Sequence, residues 1–203
     1  FFLNSKIKKF IQVGSSIEYG KIKSPQIEKK NNIQKSYSVY GKAKLLSTKF
    51  LLKLSKEHSF PSVIIRLYLV YGPNQDVNRI IPITIKNAIE NKKFACSSGK
   101  QLRDFIYVED VVRAIIKILK NNTVKGEIIN IGSGKPIAIK KVILKICSLI
   151  NSGIPQFDKI KFRKDEILKL YPSIKKAKKL INWKPEVDMT SGLNKCIQYF
   201  KKH

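Results

Sequence analysis

The sequence predicts an α/β fold built on a mostly parallel β-sheet. Short apolar runs typical of buried strands alternate with longer segments whose apolar residues recur at three- and four-residue steps. Strands that alternate with helices in this way form βαβ units, whose crossover helices join parallel strands. With 203 residues, 43% of them apolar, the chain is long enough to bury such a core.

The N-terminal half of the pattern contains two strands and two helices. The strand at 9–13 ends in a glycine-serine turn, and the strand at 62–68 ends near residues 70–76, where glycine, proline and asparagine predict a loop. The helix at 38–57 has apolar residues at helical spacing, which predicts one buried face. The residues expected on that face are Ala43, Leu46, Phe50, Leu51 and Leu54. The next helix, at 80–91, tolerates a proline because it lies in the first turn.

The C-terminal half continues the alternation. A short strand is predicted at 104–108, and the helix at 109–119 opens with two acidic residues that suit the positive end of its dipole. The strand at 126–131 runs into a glycine-rich turn, and Trp183 is expected to pack near a helix end. Three further helices are predicted near residues 137–150, 172–181 and 189–201.

The chain is strongly basic, with a formal net charge of +27 at pH 7. Such a charge is typical of nucleic-acid-binding proteins, so a basic binding module is one alternative. However, the lysines are spread along the whole chain, without zinc-finger spacing, an RNP-like aromatic strand or a basic heptad region. Lysines on solvated surfaces or an anionic substrate explain the charge more simply, and we expect no nucleic-acid partner.

The cysteines and histidines limit the possible sites. Three isolated cysteines, Cys96, Cys147 and Cys196, argue against a disulfide framework and suit a reducing compartment, so we expect a cytoplasmic protein. With two histidines, His58 and His203, a histidine-based metal site is not expected. No run of about 18 apolar residues occurs, so neither a transmembrane helix nor a membrane partner is predicted.

The start of the chain suggests a sequence entered partway through. Phe1 is followed within a few residues by the nearly all-apolar strand at 9–13. Strands of that composition have neighbours on both sides. We therefore expect further N-terminal strands that precede the present sequence.

Tyr40 and Lys44 are the residues that point most directly to chemistry. They are four residues apart on a predicted helix and so lie on one face. The nearby ammonium favours the phenolate, and a hydroxyl donor such as Ser15 favours it further. A free tyrosine titrates near about 10, so a base at neutral pH needs a shift of about three units. The alternative is a surface tyrosine on a lysine-rich helix.

The glycine-rich segments do not predict a phosphate-binding loop. Gly132-Ser133-Gly134-Lys135 lacks the first glycine of a P-loop, because that position is Ile129, and it is interpreted as a turn that leaves a strand. No G-x-G-x-x-G occurs, so the usual pyrophosphate cradle is absent from the sequence. Arg103 and Arg163 suit either a diphosphate or a surface pair with an aspartate.

Six segments in order carry a resemblance to a known family. They are Gly14-Ser15-Ser16-Ile17-Glu18-Tyr19-Gly20, Tyr40-Gly41-Lys42-Ala43-Lys44, Arg66-Leu67-Tyr68-Leu69-Val70-Tyr71-Gly72-Pro73, Arg103-Asp104-Phe105-Ile106-Tyr107-Val108-Glu109-Asp110, Asn130-Ile131-Gly132-Ser133-Gly134 and Trp183-Lys184-Pro185. From Phe10 to about Tyr199 the chain resembles the extended short-chain dehydrogenase/reductases, in particular the NAD-dependent epimerase/dehydratase family that acts on nucleotide sugars.

The resemblance implies the C-terminal part of a Rossmann-like doubly wound parallel sheet plus a small mixed α/β substrate-binding subdomain. Residues 1–68 and 105–133 would form a partial NAD(P)-binding domain without its glycine-loop strands. Residues 69–104 and 134–203 would bind the nucleotide sugar. The implied cofactor is NAD or NADP, and a homodimer is expected by analogy.

The resemblance also implies roles for individual residues. Tyr40 is the general acid/base, and Lys44 holds the nicotinamide ribose and lowers the tyrosine pKa. Ser15, with Ser16 as the substrate-contacting alternative, hydrogen-bonds the reacting sugar oxygen. Tyr68 is assigned to the cofactor. The arginines assigned to the nucleotide or its diphosphate are Arg79, Arg103 and Arg163.

Two departures from the family pattern shape the expected reaction. Dehydratases carry an Asp-Glu or Ser-Glu pair where this chain has Ser16 and Ile17, and Glu18, one step further on, is expected to turn away. Many epimerases have an asparagine at the position of Leu69. We therefore expect an NAD(P)-dependent epimerase similar to UDP-glucose 4-epimerase. The alternatives are a reductase of a nucleotide-linked 4-keto-6-deoxy sugar, similar to CDP-abequose synthase, a less favoured 4,6-dehydratase, and an inactive fragment.

Overall fold

The computed structural model describes residues 6–28, 38–162 and 166–202. The strands are β1 (Phe10–Ser15), β2 (Ser62–Leu67), β3 (Leu69–Tyr71), β4 (Lys93–Ala95), β5 (Leu102–Arg103), β6 (Phe105–Tyr107), β7 (Glu127–Ile131), β8 (Ile137–Ala138), β9 (Ile154–Gln156) and β10 (Lys169–Leu170). The helices are α1 (Val39–Glu57), α2 (Ile80–Ile89), α3 (Val108–Lys120), α4 (Ile139–Ile150), α5 (Lys175–Ile181) and α6 (Met189–Lys202). The alternation predicted from the sequence is confirmed, with boundaries that differ by a few residues.

The main sheet is parallel, in the order β1-β2-β7. Its register aligns Gly14 with Arg66 and Arg66 with Asn130, so the C-terminal ends of all three strands meet at one edge. Within the described residues β1 pairs on one side. The crevice outside the C-terminal ends of parallel strands is where ligands bind in open α/β sheets.

Helices cover both faces of this sheet. On one face Ile64 and Ile128 pack with Leu51 of α1. On the other, the buried isoleucines and valine of β2 and β7 pack with Ile118 of α3 and with Trp183. Trp183 is 2% exposed, and its indole N–H donates to the carbonyl oxygen of Asp110 at 3.0 Å. The prediction that this tryptophan packs near a helix end is confirmed.

A second core lies among α2, α4 and α6. Ile85, Ile146 and Leu193 pack there against the aromatic residues Tyr71 and Phe105. One sequence interpretation is wrong here, because the predicted loop at 70–76 begins inside β3, which pairs in parallel with β6. The backbone amide of Leu69 also donates to the carbonyl oxygen of Asp104. This pairing brings the two segments together beside the crevice.

The apolar face predicted for α1 is wrong in part: Leu51 is buried and Leu54 packs against the same core cluster, but the face is rotated from the predicted one. Leu46 and Phe50 are 65% and 60% exposed, and the buried positions are Gly41, Leu45, Thr48 and Leu51. The physical reason is a buried hydrogen bond that sets which side of the helix faces the core. The hydroxyl of Thr48 is fully buried and donates to a buried carboxylate of the loop after β1, so this face of the helix must turn inward.

None of the helices in the described ranges combines the length and hydrophobicity needed to cross a bilayer. In the same ranges no three His, Cys, Asp or Glu side chains group as metal ligands.

Candidate active site

A cleft of about 1070 Å³ lies at the C-terminal ends of β1 and β2. Side chains that are far apart in the sequence meet there, because parallel strands end at the same edge. The residues singled out from the sequence that line it are Ser15, Ser16, Tyr40, Tyr68, Arg79 and Arg103. Arg163 lies outside the described residues.

Tyr40 lies in the first turn of α1, at the mouth of the cleft. The helix begins there because the Ser38 hydroxyl accepts a hydrogen bond from the amide of Gly41 at 3.0 Å. Tyr40 is 56% exposed, and the ammonium nitrogen of Lys44 lies 5.8 Å from its ring centroid. That ammonium also donates to the carbonyl oxygen of Val13 at 2.9 Å. The pair shares one face of the helix, as predicted, and its chemical roles stay predictions.

Ser15 is the last residue of β1 and the N-cap of a short 3-10 helix, Ser16–Tyr19. Its hydroxyl oxygen accepts from the amide of Ile17 at 3.4 Å, which leaves the hydroxyl hydrogen able to donate into the cleft. The neighbouring Ser16 is 6% exposed. Both serines line the same cleft as Tyr40, although 25 positions separate Ser15 from Tyr40.

Glu18 turns away from the cleft, as its one-residue offset predicted. Its buried carboxylate accepts three hydrogen bonds and makes one further ion-pair contact. Oε1 accepts from the amide of Ser15 at 2.8 Å. Oε2 accepts from the Thr48 hydroxyl at 2.8 Å and from Nε of Arg66 at 3.0 Å, and Nη2 of Arg66 lies within ion-pair distance of it, also at 3.0 Å. One carboxylate thus joins the end of β1 at Ser15, helix α1 at Thr48 and strand β2 at Arg66.

Arg103 lines the cleft and is paired. Its Nη2 donates to Glu166, and its Nη1 donates to the carbonyl oxygen of Leu102 at 2.9 Å. Burial lowers the pKa of Arg103, and the charge of Glu166 opposes that shift. The alternative interpretation of Arg103 as a surface residue paired with an aspartate is therefore wrong.

Arg79, the N-cap residue of α2, is an exposed residue of the same cleft.

The sequence model of the NAD dependent epimerase/dehydratase family matches residues 2–132. The chain belongs to this family. It is 34% identical to the UDP-glucuronate 4-epimerase of Thermodesulfobacterium geofontis over 69% of this chain and 43% of that protein. It is 33% identical to the CDP-abequose synthase of Salmonella muenchen over 78% of this chain and 56% of that protein.

A solved structure gives the same fold. The UDP-glucuronic acid 4-epimerase of Bacillus cereus, determined with UDP-glucuronic acid and NAD, has a TM-score of 0.89 and 28% identity. The match covers 98% of this chain and 63% of that chain. The Rossmann-like fold implied by the resemblance is confirmed, and the chain spans about half the length of the curated relatives it matches.

A second part of the polar network lies under the cleft, and sequence reasoning missed it. The Arg66 guanidinium stacks on the Tyr19 ring at 4.2 Å, and the Tyr19 hydroxyl donates to Asn130 at 2.8 Å. Asn130 donates to the carbonyl oxygen of Gln26, whose side chain accepts from the Tyr68 hydroxyl at 2.7 Å. Burial raises the pKa of Tyr19 to about 12 and that of Tyr68 as well, so both are neutral donors.

The sequence does contain a signal for this network. Arg66 is the one charged residue of β2, whose other residues apart from Ser62 are apolar, and a buried arginine requires an acidic partner. That rule alone does not identify Glu18 among the acidic residues of the chain.

The glycine-rich turn after β7 is held by hydrogen bonds to the side chain of Asp104. The carboxylate of Asp104 accepts from the Ser133 amide at 2.6 Å and from its hydroxyl at 2.9 Å. Burial raises the pKa of Asp104 to about 6, and the hydrogen bonds from the turn oppose that shift. The interpretation of this segment as a turn that leaves a strand is confirmed.

We predict that Glu18→Gln destabilises the fold by about 3–5 kcal/mol, because it removes the carboxylate that pairs with the buried Arg66 guanidinium. Urea unfolding followed by circular dichroism measures the change. Glu57→Gln is the matched control, because Glu57 pairs with Lys53 at the surface and its loss should have little effect. Equal stability losses for the two variants would contradict this account of the network.

Proposed function

We propose that this chain forms the catalytic and nucleotide-sugar-binding part of an NAD(P)-dependent epimerase that acts on a UDP-linked sugar. The observation that carries the proposal is the shared cleft, where Ser15 and Tyr40 lie with Arg79 and Arg103. A serine–tyrosine pair supplies acid–base chemistry at a hydroxyl, and arginines bind a diphosphate. The epimerases that this chain resembles support the choice of reaction.

The residues present fit the nicotinamide end of the cofactor. Tyr40 is half exposed at the cleft and has the Lys44 ammonium beside its ring. Tyr40 and Lys44 would hold the nicotinamide ribose at this end of the cleft. NAD(P), when bound, supplies a carrier that accepts a hydride from the sugar carbon and returns it.

The chain's own residues then handle the proton. The Tyr40 phenolate accepts a proton from the sugar hydroxyl, and the Ser15 hydroxyl donates a hydrogen bond to the same oxygen. The Lys44 charge stabilises the phenolate throughout. When the sugar oxygen must be protonated again, Tyr40 acts as the acid. An epimerase uses both directions of this transfer, with a turn of the keto sugar between them.

A reductase of a nucleotide-linked 4-keto-6-deoxy sugar is the second candidate. Leu69 favours it, because this residue lines the cleft and offers an aliphatic side chain where many epimerases present an amide. The relationship to a CDP-abequose synthase agrees with it. Such an enzyme would use Tyr40 as the acid alone. Dehydration is not proposed, because the Glu18 carboxylate is turned into the core and held by Arg66.

We predict that Tyr40→Phe, in the enzyme loaded with NAD(P), lowers kcat by about 10²–10⁴-fold and changes nucleotide-sugar affinity little. The assay follows product epimers and NAD(P)H absorbance with UDP-, GDP-, CDP- and dTDP-hexoses. Net oxidation of NAD(P)H identifies the reductase, and no net change identifies the epimerase. Tyr199→Phe, on α6, is the matched control. Turnover by Tyr40→Phe close to that of the wild type would contradict the assignment.

We also propose a homodimer formed through α1. Val39, Leu46 and Phe50 are 85%, 65% and 60% exposed and recur at helical spacing along one side of the helix. An exposed apolar stripe of this kind marks an interaction surface. In a two-fold dimer the same stripe of each copy would pack against its counterpart.

The dimer prediction is tested by sedimentation. Replacement of both Leu46 and Phe50 by glutamate should convert a dimer into a monomer with unchanged circular dichroism, because the charges would lie in the apolar contact. Leu168→Glu, at another position that is 56% exposed, should leave the dimer intact. A wild-type chain that sediments as a monomer would refute the proposal.

A further inference from the structure

The cleft contains a charge pair whose acidic member has no role in the proposed chemistry. Arg103 donates through Nη2 to the carboxylate of Glu166, which is 63 residues away in the chain. The Arg103 side chain is 11% exposed and that of Glu166 is 23% exposed. Both residues line the cleft that also contains Ser15 and Tyr40. The pair is therefore part of the candidate site and is partly shielded from solvent.

The surroundings of the pair make Glu166 unusual. Among the described residues that line the cleft, the charged side chains are Lys21, Arg79, Arg103 and Glu166. Glu166 is thus the one acidic side chain in the described part of a basic cleft. A carboxylate at this position weakens the attraction of the cleft for anions, unless it leaves Arg103 when an anion arrives.

The guanidinium of Arg103 is held in place for an anion. Its Nη1 is held by the carbonyl oxygen of Leu102, and burial disfavours its charge in the absence of a partner. A carboxylate and a phosphate bind the same fork of guanidinium donors, so only one of them can occupy the Nη2 position at a time. Glu166 supplies the anion that this buried charge requires.

We propose that Glu166 occupies the anion site of Arg103 in the ligand-free protein, and that the diphosphate of a nucleotide binds by exchanging with this carboxylate. This inference rests on the proposed nucleotide-sugar function. The exchange sets the affinity of the site, because the ligand binds the fraction of molecules in which Arg103 is released. Glu166 is therefore a residue that determines affinity through Arg103.

The test uses isothermal titration calorimetry at low ionic strength with inorganic pyrophosphate and with UDP. Pyrophosphate is the sharper probe, because it carries the diphosphate without a sugar or a base. Glu166→Gln should bind both probes about threefold to tenfold more tightly than the wild type, since Arg103 is then free. In the Arg103→Gln background the same substitution should give no gain, because the site that Glu166 covers is gone.

The matched control is Glu186→Gln. Glu186 also pairs with an arginine, Arg113, at 3.4 Å, but it does not line the cleft, and its loss changes the net charge by the same amount. Its affinity for pyrophosphate should equal that of the wild type. An equal gain in this control would overturn the inference, because it would reflect net charge alone.

The remaining outcomes separate this inference from the proposed function. If the wild type binds UDP and Glu166→Gln binds pyrophosphate equally or more weakly, the exchange is wrong and the nucleotide-sugar function stands. If neither protein binds pyrophosphate or UDP, both the exchange and the proposed function are wrong. A gain that persists in the Arg103→Gln background would also overturn the exchange, because Glu166 would then act on another group.

Discussion

The buried ion pair between Glu18 and Arg66 is the interaction on which the rest of the candidate site depends. Arg66 is in β2, Glu18 follows β1, and Thr48 is on the helix that carries Tyr40. One carboxylate therefore holds three elements in a fixed relation. Its third partner residue is Ser15, whose backbone amide donates to it, so the proposed catalytic hydroxyl and the proposed catalytic tyrosine are positioned by the same group.

Such a pair is costly to bury, and the structure shows how the cost is met. The carboxylate has three hydrogen-bond donors and one further ion-pair contact, and the guanidinium has the carboxylate and the face of Tyr19. The chain approaches this carboxylate closely at Gly14, where a Cβ atom would clash with Oε1. Glycine is therefore required at position 14, because a side chain there would displace the Glu18 carboxylate. The benefit is a loop whose geometry is fixed, which a site for proton transfer needs.

The sequence predicts the fold and the members of the site for clear physical reasons. Parallel strands end at one edge, so Ser15 and Tyr68, which lie at the C-terminal ends of β1 and β2, had to lie near each other. The spacing of Tyr40 and Lys44 placed both on one helical face. The buried side of α1 was predicted wrongly, because apolar periodicity does not register that Thr48 must reach a carboxylate in the core.

Sequence patterns did not predict which charged residues pair when they are far apart in the chain. Arg103 and Glu166 are separated by 63 positions, and no local rule selects that partner from the other acidic residues. The same holds for the link from Arg66 to Glu18, which is 48 positions long. Family resemblance supplied the roles of the residues. The pairings that hold these residues in place required the three-dimensional structure.

The most direct measurement of the central claim is the hydrogen-exchange rate of the Ser15 amide. If the Glu18–Arg66 pair fixes this loop, the amide should exchange as slowly as those of the buried strand β2, because the carboxylate is released only by extensive unfolding. Nuclear magnetic resonance resolves the two classes of amide. Exchange of the Ser15 amide at the rate of an exposed loop, with β2 still protected, would contradict the account.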